Sequence, residues 1–213
     1  MVSFKDIDMN DFISIMKIYV VVNVVNLDGS NSSVLVKNSK MLNVIKGDNM
    51  GKTIVLNLSH INIRGDVLDV GESFGVIYNI AKDIDDEVSV DYIEEENSEV
   101  LKERSYDNCT IFFALSNIWG DSQRERLLQK ISRSIKTGGS IYIWDINKEI
   151  GKLFNNKIRV ILPSEKIKEF QFKNLNPMSS SGIEDTRKIL TEQFCIQEEK
   201  VWEDIYYIKA RKK

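Results

Sequence analysis

The chain has 213 residues, with 29 basic and 32 acidic side chains and a net charge of −3, which argues against a dedicated nucleic-acid surface. That length supports one sizeable core rather than two, and no apolar run approaches the ~20 residues of a membrane span. Cys109 and Cys195 stand far apart beside a single histidine, so neither a disulfide framework nor a zinc spacing is present; with no signal-peptide pattern at Met1–Asp6, a reducing cytoplasm is expected.

Residues 1–58 read as a helical lid over a Rossmann-like core at 59–213. Asp8 to Leu27 opens like a helix, although Val20-Val21-Val22 favours a strand near its end. Ser33–Ile45 and Thr53–Ile61 read as helices, separated by a glycine-bounded turn at 47–51. His60, at the end of the second, reads as a helix-end or surface histidine rather than a catalytic one.

From residue 64 the pattern sharpens. Asp66–Val70 predicts a strand, Gly71–Gly75 a loop and Val76–Lys82 a helix. Val88–Asp91 predicts a second strand, and Glu94–Glu103 a polar helix. Thr110–Leu115 reads as a third strand. Leu127, Leu128, Ile131 and Ile135 recur at helical spacing within Asp121–Lys136, and Thr137-Gly138-Gly139 is expected to stop that helix. Ser140–Asp145 reads as the next strand. Ile158–Leu162, turning at Pro163–Lys166 into Ile167–Phe172, reads as an added hairpin. Ser181-Gly182-Ile183-Glu184 looks like a capping box for a helix to Glu192, and Phe194–Glu198 and Ile205–Ala210 should pair antiparallel. Such strand–helix alternation predicts an α/β fold: a doubly wound, mostly parallel sheet with helices on both faces and an antiparallel carboxyl-terminal pair.

In such sheets ligands bind beyond the carboxyl ends of the strands, where the strand order reverses. Gly71 would let the chain turn there, Gly75 would let backbone and ligand approach, and the following helix start offers free N–H groups. Asp91 lies about 20 residues past Gly71, where an acid can accept hydrogen bonds from ribose hydroxyls. Strand, loop, helix, strand and acid in that order point to a ribose-bearing ligand. A pyrophosphate is disfavoured by Glu72 and by the absence of a G-x-G-x-x-G loop.

At Val67-Leu68-Asp69-Val70-Gly71 the sequence resembles the class I S-adenosylmethionine-dependent methyltransferases, whose first motif is a strand followed by (D/E)-x-G-x-G-x-G. The resemblance runs over roughly residues 53–213. It continues through Val88–Asp91, Tyr106-Asp107, Cys109–Leu115, the helix–Gly-Gly–strand segment Leu127–Asp145, and Phe194–Lys212. It departs at Ser73, which stands at the middle glycine, and between Asp91 and Tyr106, where the family's third strand is expected to be missing or vestigial.

The resemblance implies S-adenosylmethionine as cofactor. Asp69, Gly71, Ser73 and Gly75 would lie along its methionine side, Asp91 would bind ribose, and Ser116 and Asn117 would face the transferable methyl. No Asn/Asp-Pro-Pro-aromatic signature follows the fourth strand, so a small-molecule acceptor is expected rather than a nucleic acid. Asp145 is open between capping a following helix and touching substrate. No catalytic base and no metal ligand stands out. Two alternatives remain open: a non-catalytic methyltransferase-like binding or assembly module with a degraded cofactor pocket, and a dinucleotide-dependent enzyme.

Overall fold

The structure, a computed structural model, describes residues 34–37, 40–43, 51–84, 89–93 and 103–213. The expectation for Asp8–Leu27, the helix expected at Glu94–Glu103 up to residue 102, and the segment 94–102 where the third strand is expected to be missing lie outside those residues.

Eleven strands and three α-helices are described. β1 (Val34–Lys37) and β2 (Lys40–Asn43) pair antiparallel, so the helix expected at Ser33–Ile45 is not formed there. Val34-Leu35-Val36 carries β-branched residues that favour extended backbone. β3 (Thr53–Asn57) likewise replaces the helix expected at Thr53–Ile61, so the regular structure described within residues 1–58 is strand, not helix. Its Ile54 and Leu56 point inward while Thr53, Val55 and Asn57 point out, a period of two that no helix can use. His60 sits in the next turn, where the Ile61 N–H bonds to the Leu58 carbonyl.

The main sheet has six strands in the order β10-β11-β7-β6-β4-β5. β4 (Val67–Val70) lies parallel to β5 (Val90–Ile93) on one side and to β6 (Tyr106–Phe112) on the other, and β7 (Ile135–Ile146) continues the parallel run. β11 (Ile205–Lys212) is antiparallel to β7, and β10 (Phe194–Trp202) is antiparallel to β11. The chain therefore passes from β4 to β5 on one side and returns to β6 on the other, which makes the β4–β6 gap the point where strand order reverses. The doubly wound, mostly parallel fold with its antiparallel closing pair is the one expected from sequence.

One face of this sheet carries α2 (Asp121–Ser134) and α3 (Ile183–Leu190) over an apolar layer that includes Ile111, Ile143, Leu127, Ile131 and Tyr206. Each aliphatic side chain buried there contributes about 1.5–3 kcal/mol. The other face carries α1 (Val76–Ile84) and a second sheet of three strands, order β3-β8-β9. β8 (Phe154–Ile161) and β9 (Ile167–Asn174) form the expected hairpin, with Ile161 opposite Ile167. β3 joins it in parallel, Ile54 beside Ile158 and Leu56 beside Val160.

Several boundaries differ from the sequence reading. β5 starts at Val90 and runs to Ile93, two residues beyond Asp91. β6 begins at Tyr106 and ends at Phe112, and Leu115–Asn117 is a 3₁₀ turn. α2 already ends at Ser134, because Ile135 is extended and enters β7. Gly138, at φ +78°, serves a bulge inside that strand instead of stopping the helix. The capping box is not formed either: Gly182 is the N-cap, no side chain caps it, α3 ends at Leu190, and the Ser181 backbone pairs with Lys148. No described helix is long and apolar enough to cross a membrane.

Candidate functional site

β4 is buried along its whole length and ends at the strand-order reversal, where Gly71–Gly75 leads into α1. Gly71 has φ +86° and Gly75 φ +68°, conformations that side chains strain to adopt. The Val76 N–H bonds to the Ser73 carbonyl to close the turn.

Asp69 anchors this loop from below. It is buried and accepts a hydrogen bond from the Thr110 hydroxyl of β6 at 2.7 Å. Burial pushes its carboxyl up to about 6, while bonds from Ser73 and Thr110 act in the opposite direction. Ser73 is buried as well. Both residues therefore position the loop and leave little surface for a ligand.

The second wall is the segment after β6. The Ser116 N–H donates to Asp145 at 2.9 Å, and the Ser116 carbonyl accepts from Asn174 at 2.8 Å. Asp145 is fully buried at the end of β7; no helix comes after it to be capped, and burial raises its carboxyl to about 6. Arg124 of α2 is also buried. It donates to the carbonyls of Leu115 at 3.0 Å, Ile118 at 3.1 Å and Ser180, so one guanidinium holds two loops.

Between the walls lies a cavity of about 140 Å³ lined by Gly71, Glu72, Phe74, Phe113, Asn117 and Phe172. Phe74 (φ +53°) and Phe113 (φ +54°) both hold left-handed backbone here, at a cost of about 1–3 kcal/mol each. Ala114 closes one end: a β-carbon built on Gly71 would stand 2.6 Å from that of Ala114. β9 closes the other, where Lys168 donates to the carbonyls of Phe74 and Gly75 at 3.2 Å each. Its ammonium would stand 2.8 Å from a β-carbon at Gly75, and Phe170 stacks on Phe74 with centroids 4.0 Å apart.

Of the seven residues singled out from sequence, Gly71 and Asn117 line this cavity. Asp69, Ser73 and Ser116 are buried behind it, and Gly75 lies under Lys168. Asp91 is not brought to the loop. It pairs with Leu68, two residues short of the strand end, and accepts a hydrogen bond from the Tyr106 hydroxyl at 2.7 Å. The position level with Val70 is Ile93, and the residues beyond Ile93, up to 102, lie outside those described. The spacing rule counted residues from Gly71, whereas β5 starts and ends two residues later than the apolar pattern suggests.

Sequence reasoning missed Glu72, Phe74, Phe113 and Phe172 as lining residues and Lys168 as a cover. The alternation Phe170–Phe172 in the expected hairpin was the available signal, but only the tertiary fold lays it on the loop. Among the described residues, no cluster of histidine, cysteine and carboxylate side chains could hold a metal ion.

No protein-family model and no curated protein matches the sequence. Solved structures do match. A complex of DhpI with SAH is 16% identical, with 73% of this chain and 80% of that chain covered and a TM-score of 0.50. An S-adenosylmethionine-dependent methyltransferase from Mesorhizobium loti is 10% identical, with 69% and 90% covered and a TM-score of 0.47. One from Methanosarcina mazei is 14% identical, with 71% and 94% covered and a TM-score of 0.48. The fold of this chain is that of the class I S-adenosylmethionine-dependent methyltransferases.

Proposed function

We propose that the crevice over Gly71 binds S-adenosylmethionine and that the protein is a methyltransferase acting on a small molecule. The observation that carries this reading is the pair of left-handed phenylalanines, Phe74 within the glycine loop and Phe113 just after β6, at the strand-order reversal. Strained backbone concentrates at ligand sites, and this position is where open α/β sheets bind. The lining suits a cationic ligand group: the Glu72 carboxylate is exposed beside three phenylalanine rings. Asn117 supplies an amide for orientation.

When bound, the cofactor supplies an electrophilic methyl group. The chain's own part is to hold it in line with an acceptor and to exclude water, which accounts for much of the rate in such transfers. Asp69, Asp145 and Arg124 keep the two walls in register for that task. The cavity of about 140 Å³ is smaller than the roughly 300 Å³ or more typical of cofactor sites, so Lys168 and Phe172 on β9 would have to move outward on binding.

A second reading is favoured by that same closure. The open faces of Gly71 and Gly75 are filled by Ala114 and Lys168, as expected of a non-catalytic module whose cofactor pocket has collapsed. Calorimetric titration with S-adenosylhomocysteine, with NAD as control, separates the two. Saturable binding of the homocysteine compound alone supports the methyltransferase. Its absence at millimolar ligand moves the second reading to first place, and binding of NAD alone would overturn both.

A further inference from the structure

A larger cavity, about 230 Å³, lies on the same face of the main sheet but away from the glycine loop, between β3 and the β7–β11–β10 side. Leu56, Leu58 and Ile61 supply its aliphatic wall. Trp144, Tyr207 and Trp202 supply an aromatic one, with Trp144 and Tyr207 stacked at 5.1 Å and 24°. β11 stands three strand spacings from β4, about 14 Å, so a molecule against Tyr207 cannot share the Gly71 crevice.

The Tyr207 hydroxyl is buried and has no hydrogen-bond partner among the described residues. Buried hydroxyls are normally paired, and an orphan beside a cavity points to a partner that enters from outside. The volume limits that partner. It exceeds the ~150 Å³ of an apolar cavity known to take up a benzene ring and falls short of the roughly 300 Å³ of multi-ring ligand sites. Charge limits it further. Lys200 lies on the lining but is paired with Glu198 at 2.7 Å, so it offers no free cation to an acid.

We propose that this cavity is a binding site for an uncharged single-ring phenol, its ring against Trp144 and Tyr207 and its oxygen accepting the Tyr207 hydroxyl proton. Removing the orphan then has two opposite effects. Tyr207→Phe relieves an unpaired buried donor, so the ligand-free protein becomes more heat-stable. The same change deletes the Tyr207 bond to the ligand, so phenol binding weakens.

The test uses the full chain, with phenol and toluene as size-matched probes, read by calorimetry and by ligand-observed NMR. Phenol should bind with a dissociation constant on the order of 1 mM, as expected of so small a ligand. It should bind about five-fold more tightly than toluene, the worth of one neutral hydrogen bond. In Tyr207→Phe the preference should fall to about one. Trp202→Ala should weaken both probes together. Failure of phenol to bind, an unchanged preference in Tyr207→Phe, or a lower melting temperature in that variant would each overturn the proposal. The last would mean that the hydroxyl already has a partner within the protein.

Discussion

The two faces of the main sheet are covered by opposite strategies. On one, α2 and α3 each follow or precede their strand within a few residues and bury one apolar stripe. On the other, only α1 is local. The rest is a small sheet whose strands come from 53–57 and 154–174, and it buries Ile54, Leu56, Ile158, Val160 and Phe172 against Phe112, Phe113 and Trp144. The helical face is held by local periodicity and by buried cations, Arg124 among them. The sheet face is held by long-range pairing, and both cavities open under it. Ligand access is therefore a property of the face with fewer local constraints.

That contrast can be broken on the helical side first. Arg124→Met keeps the length of the side chain but leaves the carbonyls of Leu115, Ile118 and Ser180 without their shared donor and Asp145 without its nearby cation. The expected cost is about 3–5 kcal/mol, measured by urea denaturation. A loss below about 1 kcal/mol would mean that the two loops are held by other contacts.

Asp69, between the faces, tests the loop through pH. Its folded-state value is raised from 3.8 to about 6, so the folded chain holds a proton that the unfolded chain has already lost across that interval. Its contribution is thus present at acid pH and is lost as pH rises through 6, on the order of 3 kcal/mol in all. Asp145 behaves alike. Asp69→Asn should remove about half of the decline in stability between the two ends of that interval. Equal slopes in wild type and variant would show that Asp69 is not held in a desolvated site.

On the sheet side, Lys168→Met removes the ammonium over Phe74 and Gly75. If β9 guards the crevice, the positively charged S-adenosylmethionine should gain affinity relative to neutral S-adenosylhomocysteine by roughly five-fold, or about 1 kcal/mol. An unchanged ratio in the two titrations would place the sulfonium away from Lys168.

The smallest effect belongs to Asp91→Ala. Two residues of strand put Asp91 about 7 Å below the loop, so S-adenosylhomocysteine affinity should not change. Only the Tyr106 bond is lost, about 1 kcal/mol of stability. A tenfold loss of affinity in calorimetry would return Asp91 to the ribose position.

The strand–helix alternation, the β4–Gly71 turn, α1, α2, the β8–β9 hairpin and the closing antiparallel pair were all legible from residue pattern. Each is stabilised by neighbours close in sequence: apolar periodicity, a glycine that tolerates positive φ, a short turn. β3 was not legible. Thr53-Ile54-Val55-Leu56-Asn57 is too short to declare its period, and its strand partner, β8, lies about a hundred residues further on. The open faces of Gly71 and Gly75 were read as room for a ligand because sequence shows that a side chain is absent but not what stands opposite. Ala114 and Lys168 stand there because parallel pairing of β6 with β4 and the fold-back of β9 bring them in. The register of Asp91 was decided the same way. β5 lies two residues further along the chain than its apolar pattern suggests, which leaves Asp91 two residues short of the strand end, and that register is set by the partner strand β4, not by the segment itself.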